Sequence, residues 1–495
     1  MKHIAKLLVL ALGMALTAFT DSHAASKPNI VHIVSDDLGW KDVGFNGATD
    51  IKTPNIDALA SGGAKFSQFY AQPMCTPTRA AMMTGRFPFR YGLQTIVIPG
   101  PAGYGLDTSE YLLPQCLKEA GYTTAIIGKW HLGHADTKYW PKQRGFDYQY
   151  GAMIGELDYY THSDAGVLDW FRNNQPVQEK GYTTQLIGAD AVKYINKQSA
   201  EKPFYLYLTF NAPHTPYQAP QEYIDRYKNI EEPTRRIYAG MVTCMDDEIG
   251  RVVAALEKKG LRENTLIVFH SDNGGTKNAM FAGQMTDLSK VKLPCDNGPY
   301  RDGKGSLFEG GSRVAACANW PGHIKPQTVD GIMHVVDLFP TFASLAGAST
   351  AKCKPLDGVN VWDTISSGKA SPRNEIVYNV EPFRGAVRQG DWKLIWRTLI
   401  PTSVDLYNLA EDPYEQKNLA AGHPDKVAAM QERLNALGKE SAKPLALMYV
   451  ASVGLAHGKP KMGSIDGKKP AAEPAHGHSI TDEGVGEKDI HAEQK

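Results

Sequence analysis

Cys75, Pro77 and Arg79 stand two residues apart in the stretch Met74-Cys75-Thr76-Pro77-Thr78-Arg79-Ala80-Ala81-Met82-Met83-Thr84-Gly85-Arg86. Pro77 suits a first helical turn and Ala80 to Met83 are good helix formers, so Cys75 is expected at the N-terminal mouth of a helix. Unpaired N–H groups and the helix dipole favour an anion there, and Arg79, one turn in, adds a fixed positive charge. These are surroundings for a reactive group; a cysteine that merely precedes a helix is the plain alternative. Other chemically capable residues stand elsewhere. Asp36-Asp37 are adjacent carboxylates, which repel unless solvated or bridged by a cation, so they read either as ligands of a hard cation or as a polar turn. Lys129-Trp130-His131, His214 and Asp272-Asn273 supply ammonium, imidazole and oxygen groups. Lys304 lies in a glycine-dense stretch from Gly298 to Arg313, whose backbone must pass close to something.

The elements that would position them are apolar runs. Asn29 to Ser35 is β-branched and apolar, the form of a strand buried on both faces, and it ends in Asp36-Asp37. Thr123 to Ile127 ends before Lys129, Phe204 to Phe210 before His214, and Thr265 to His270 before Asp272. In open α/β sheets the ligand crevice lies outside the carboxyl ends of the strands, so these four ends are expected to converge on one site. Helices are expected from Leu112 to Ala120, Thr183 to Gln198 and Arg235 to Lys259, and Asp246, Asp247 and Glu248 on the last read as structural or solvated. From about Glu375, two short strands around Gly390-Asp391, the run Asp405 to Leu409 and a helix from Pro424 to Leu437 describe a small C-terminal unit.

Lys plus Arg and Asp plus Glu number 53 each in 495 residues, which argues against nucleic acid or an anionic membrane as the main partner. Lys2 and Lys6, the apolar run Leu7 to Ala18 and Ser22-His23-Ala24 have the form of a secretory leader cut after Ala24, so a periplasmic or secreted protein is expected. That run is too short to span a bilayer, and no later one is long enough. The six cysteines lack C-x-x-C spacing, which counts against structural zinc. Any disulfide is expected among Cys295, Cys317 and Cys353, with Cys116 and Cys244 as buried thiols on helices. Beyond Pro460 the composition cannot support a core, and His476 and His478 read as part of a solvated tail.

Cys-X-Pro-X-Arg followed by Thr84-Gly85-Arg86 resembles the signature of the type I sulfatases, and the likeness runs from Pro28 to about Leu437. The resemblance implies an α/β, alkaline-phosphatase-like fold: a large mixed, mainly parallel sheet flanked by helices, plus a small C-terminal antiparallel sheet with a helix. It divides the chain into a leader (1–24), a catalytic domain (25–374), an α+β subdomain (375–445) and a mostly disordered tail (446–495). It also implies that a maturation enzyme converts Cys75 to formylglycine (3-oxoalanine), whose hydrate attacks sulfur. The cation site would be Asp36, Asp37, Asp272 and Asn273 with the modified Cys75 beside it, and its oxygen donors suit Ca²⁺. Lys129 and Lys304 match sulfate-binding lysines, His131 and His214 proton-transfer histidines, and Arg79 the arginine that steadies the nucleophile. His214 would protonate the leaving oxygen, Asp272 would help to deprotonate the attacking hydroxyl, and His131 would accept the proton that expels sulfate.

Tyr91-Gly92-Leu93-Gln94, Arg144-Gly145-Phe146-Asp147 and Leu157 to His162 look like the arylsulfatase B branch, which implies a sulfated carbohydrate such as N-acetylgalactosamine 4-sulfate, or an aryl sulfate, as substrate. His162 and its aromatic neighbours either line a sugar pocket or pack a surface loop. Two rival readings stand beside this one: a phosphomonoesterase or phosphodiesterase on the same scaffold, and a calcium-containing sulfoglycan-binding protein if Cys75 is unmodified.

Overall fold

The computed structural model describes residues 27–277, 293–398 and 402–456. The leader and the histidines of the tail lie outside these residues. Among them, a ten-stranded sheet runs in the order 327–329, 64–66, 316–319, 265–271, 29–35, 204–209, 123–128, 148–151, 171–172, 175–176. Its centre is parallel: β1 (Asn29–Ser35) pairs with β3 (Phe204–Thr209) on one side and β4 (Thr265–Ser271) on the other. β3 pairs with β2 (Thr123–Gly128), which pairs with 148–151. The outer strands join antiparallel, apart from 327–329 beside 64–66.

Every residue of β1 is buried, as its Val/Ile run demands. Alternation assigns the faces. Ile30 and Val34 pack with Ala80 to Met83 of the helix Cys75–Thr84, and with Phe342. Val31 and Ile33 pack on the opposite layer with Ile187, Met241 and Ile249. The last three lie on the helices Thr183–Asn196 and Pro233–Lys258, close to their expected bounds. Asp246 is indeed structural: it accepts from Asn55 N and Ile56 N, satisfying the first turn of the helix Pro54–Ser61.

A second, four-stranded antiparallel sheet begins at Glu375, with strands 375–380, 384–389, 392–397 and 403–408 in sequential order. Gly390 takes the left-handed conformation (φ 57°) its turn requires. The helix Pro424–Lys439 covers the sheet with Met430, Leu434 and Leu437. Residues Leu445–Ala456 are helical as well. The C-terminal sheet is tied to the helix Glu309–Ser312 and to Tyr70 by buried charge. Lys393 lies between Glu309 (2.9 Å) and Glu415 (2.8 Å), and Glu309 also accepts from Tyr70 and Tyr378. Removing one partner of such a cluster costs about 3–5 kcal/mol, because the other is left charged and dry.

The cysteine pairing differs from expectation. All six are free thiols, and Cys353 faces Cys116, not Cys295 or Cys317, with the two sulfurs 3.6 Å apart. The two residues are 237 positions apart, a separation that sequence spacing does not reveal. Oxidised glutathione is expected to join Cys116 to Cys353 and to stabilise the protein by about 2–4 kcal/mol. Peptide mapping with a melting curve tests this; two free thiols after treatment contradict it.

Candidate active site

Register brings the strand ends level. Ser35 pairs with Ser271, Val34 with Thr209, and Thr209 with Gly128. Just past these ends, backbone bonds stitch the turns together: Asp36 N to Ala212 O (3.1 Å), Asp272 N to Ser35 O (3.0 Å) and Lys129 N to Thr209 O (2.9 Å). Asp37 (φ 61°) and His131 (φ 59°) adopt left-handed backbone, at a cost of about 1–2 kcal/mol each. Asn273 Nδ2 holds Asp37 Oδ1 at 2.7 Å, while His131 N donates to Met153 O at 3.0 Å.

The glycine-dense stretch meets the Asp272-Asn273 turn directly. Gly274 N donates to Gly311 O (3.0 Å), Lys304 N to Gly275 O (3.2 Å) and Gly305 N to Pro73 O (2.7 Å). A Cβ on Gly274 would lie 1.7 Å from Gly310 O, so no side chain fits between the two loops. Lys304 is thereby held next to the residue pair that precedes Cys75.

Cys75 opens the helix Cys75–Thr84, every residue of which is buried, and Gly85 (φ 65°) closes it. Its sulfur is 3.3 Å from Asp36 Oδ1 and 3.9 Å from Asp37 Oδ1. Burial, then Asp272 and Asp36, push the thiol well above its usual range. Burial, with those two carboxylates, keeps Cys75 a thiol, and two acceptors stand before it. Arg79 is not spent on the sulfur: its Nε and one terminal nitrogen hold Asp272 Oδ2 (3.1 and 2.8 Å), and the other terminal nitrogen donates to Lys129 O (3.1 Å).

The remaining charges pair off. Lys129 binds Asp36, and Lys304 Nζ lies 2.8 Å from Asp37 Oδ2 and 3.0 Å from His214 Nε2. Asp36, Asp37 and Asp272 are thus matched by Arg79, Lys129 and Lys304, all buried. Burial alone would raise the Asp37 carboxyl, but Lys304 and His214 hold it well below the carboxylate range. Burial and Asp36 push Asp272 up to about 6. His214 is lowered to about 4 by burial and Lys304; its Nδ1 lies 2.7 Å from Thr215 O, so Nδ1 carries the proton and Nε2 accepts from Lys304. His131 is held well below its usual value by burial, then by Lys129 and Arg79, so both histidines are neutral near pH 7.

Residues 28–348 match the family described as sulfatase. Arylsulfatase J of Mus musculus is 33% identical over 470 residues, covering 84% of this chain and 76% of that protein. The chain belongs to the sulfatase family. N-acetylgalactosamine-6-sulfatase of Mus musculus is 35% identical over 406 residues, 78% of this chain and 75% of the relative. Among solved structures, Ps i-CgsB in complex with k-i-k-neocarrahexaose superposes with a TM-score of 0.76 at 34% identity, covering 84% of this chain and 94% of that one. The large mixed sheet with a small antiparallel one is the sulfatase fold.

This sulfatase gathers a group that could hold a metal ion. Ligand atoms of Asp36, Asp37, Cys75 and His214 lie within 4.8 Å of one another, and among the described residues Asn273 Oδ1 is buried without a hydrogen-bond partner. Asp272, expected among the ligands, also accepts from Arg79 and from Asp37 N. A cavity of about 410 Å³ opens at Cys75, with His131, His214 and Lys304 in its wall. The segment Ile96 to Gly100, Glu156 and Asp164 line it too, and sequence reasoning missed them. The Pro99-Gly100-Pro101 cluster marks a turn but not where the turn folds.

His162 is not in that wall. It is buried, stacked on Trp170 with centroids 5.0 Å apart, and its Nε2 is 2.9 Å from Gly181 O, so of its two readings packing replaces the sugar pocket. Gly155 acts on the site indirectly. A Cβ there would meet the His131 ring at 2.3 Å. Gly155→Ala is expected to displace that ring and lower kcat on the order of 10²-fold with the fold retained; kcat within about twofold of wild type contradicts the placement.

Proposed function

We propose that this sulfatase hydrolyses sulfate monoesters of sulfated glycans, N-acetylgalactosamine 4-sulfate among them, and of aryl alcohols, with formylglycine made from Cys75 as its nucleophile and Ca²⁺ as its cation. One observation carries this reading: Cys75 opens a buried helix with its sulfur facing Asp36 and Asp37, and His131, His214 and Lys304 share its cavity wall. A protonated thiol is a poor nucleophile. An aldehyde hydrate at the same position has two hydroxyls, and two carboxylates stand ready to accept from them. When present, the hydrate supplies the attacking oxygen and the cation neutralises charge on the sulfuryl oxygens.

The chain's own residues do the rest. Asp36, Asp37, Asp272 and Asn273, with position 75, would hold the cation. Lys129 and Lys304, now paired with Asp36 and Asp37, would turn to the sulfate oxygens once those carboxylates had a cation to bind. The Lys304–His214 pair hands a proton to the departing alcohol, Asp272 draws one from the attacking hydroxyl, and neutral His131, whose Nδ1 is buried without a partner, accepts the proton that releases sulfate. Arg79 keeps Asp272 and the Lys129 backbone in place.

Relatives named for N-acetylgalactosamine 6-sulfate and a neighbour bound to k-i-k-neocarrahexaose support a sulfated sugar as the natural substrate. The leader at 1–24 supports export to the periplasm or beyond, and a formylglycine-generating enzyme is the required maturation partner. The deciding assay compares 4-nitrophenyl sulfate with 4-nitrophenyl phosphate on purified, matured protein. A clear preference for sulfate is expected; a preference for phosphate overturns the reading.

A further inference from the structure

Two wholly buried histidines, His32 and His270, stand outside the wall of the Cys75 cavity. His32 interrupts the apolar run of β1, and alternation puts it on the face of Ile30 and Val34, which packs on the helix that Cys75 opens. Register pairs Val34 with His270 of β4, so the two imidazoles are diagonal neighbours on that face. Their Nε2 atoms lie 2.8 Å apart; His32 Nδ1 is 3.3 Å from the Tyr205 hydroxyl, and His270 Nδ1 is 2.8 Å from Ser271 O. The rings of Phe69, Tyr207 and Phe342 pack around the pair.

Burial lowers both imidazoles, so both are neutral near pH 7. A carbonyl can only accept, and that fixes the direction of every bond in the chain. His270 Nδ1 donates to Ser271 O, His270 Nε2 accepts from His32 Nε2, and His32 Nδ1 accepts from Tyr205. The chain ends on the peptide unit that precedes Asp272. That unit is held at both ends: its oxygen by His270, and its N–H, which belongs to Asp272, by Ser35 O at 3.0 Å. Ser271 carries the hold across to the other turn. Its Oγ donates to Asn273 O (2.8 Å) and accepts from Leu38 N (3.1 Å), the residue after Asp37. Asp36-Asp37 and Asp272-Asn273, the two halves of the candidate cation site, are therefore joined at the residue on which the histidine chain closes.

We propose that His32 and His270 are positioning residues which, through Ser271, set the spacing of the Asp36-Asp37 and Asp272-Asn273 turns and with it the affinity of the site for a hard divalent cation. The inference rests on the cation reading and adds to it two residues that are not themselves ligands. Apolar side chains could fill the same space, but only a directional bond to Ser271 O orients the peptide plane that leads into Asp272.

The test is a calorimetric Ca²⁺ titration of the full-length protein, with a melting curve for every variant. His270→Leu removes the donor to Ser271 O and strands His32 Nε2–H; it is expected to weaken Ca²⁺ binding about tenfold or more and to lower the melting temperature. His32→Leu leaves His270 Nε2 without a donor and its tautomer unfixed, and a smaller loss of affinity is expected. In the double variant both polar partners are gone and two leucines fill the aromatic cage, so the melting temperature is expected to recover while Ca²⁺ affinity stays low. The double variant also carries the test where a single one fails to fold. Affinity that recovers together with stability overturns the proposal, as does affinity within about twofold of wild type in the folded variants. Wild-type protein that takes up no Ca²⁺ overturns the cation reading, and the proposal with it.

Discussion

Cys75→Ala is expected to lower turnover of 4-nitrophenyl sulfate on the order of 10⁴- to 10⁶-fold while leaving the melting temperature nearly unchanged. Its neighbours have other partners or roles: Lys129 pairs with Asp36, Lys304 pairs with Asp37, and His131 and His214 are placed for proton transfer. Nor does stability depend on the sulfur, which makes no covalent bond and is a small part of the helix that Ala80 to Met83 anchor. Cys75→Ser sharpens the test. A serine oxygen has no second hydroxyl with which to expel sulfate, so the variant is expected to take up one sulfuryl group and stop. Steady turnover by either variant contradicts the assignment.

The second large effect belongs to Lys304. Lys304→Ala is expected to reduce kcat on the order of 10²- to 10³-fold, since it removes the one ammonium that touches both Asp37 and His214. The loop itself should hold, because backbone bonds to Gly275 and Pro73 fix it independently of the side chain. Lys304→Arg is not expected to restore activity: a planar fork cannot stand where a point charge meets a carboxylate and an imidazole at 2.8 and 3.0 Å. Lys304 also lowers the pKa of His214, so its removal is expected to move protonation of that imidazole to higher pH. Rate against pH for wild type and variant measures both effects; near-wild-type kcat with an unmoved profile contradicts the role.

Much of the fold was legible because the decisive signals are local. A Val/Ile run that is buried on both faces, such as Asn29 to Ser35, has one favourable use, and the polar residues at its end fall where strands of a parallel sheet deliver them. The Met74 to Arg86 pattern likewise carries its own helix signals. What stayed hidden depends on contacts between distant segments. Nothing in the spacing of Cys116 and Cys353 announces that they meet, and nothing near His162 announces that Trp170 will cover it. The surroundings of Cys75 are the clearest case. A helix mouth read alone favours an anion, whereas burial, with Asp272 and Asp36 from two other strand ends, pushes the thiol up, and Arg79 turns away to pair with Asp272.

The most direct measurement is the mass of the tryptic peptide Phe66–Arg79, taken together with specific activity on 4-nitrophenyl sulfate, in protein produced with and without a formylglycine-generating enzyme. Formylglycine chemistry predicts that the aldehyde-bearing peptide appears with the maturation enzyme and that activity rises in proportion to its fraction. Full activity in protein whose peptide carries only the intact thiol would contradict it.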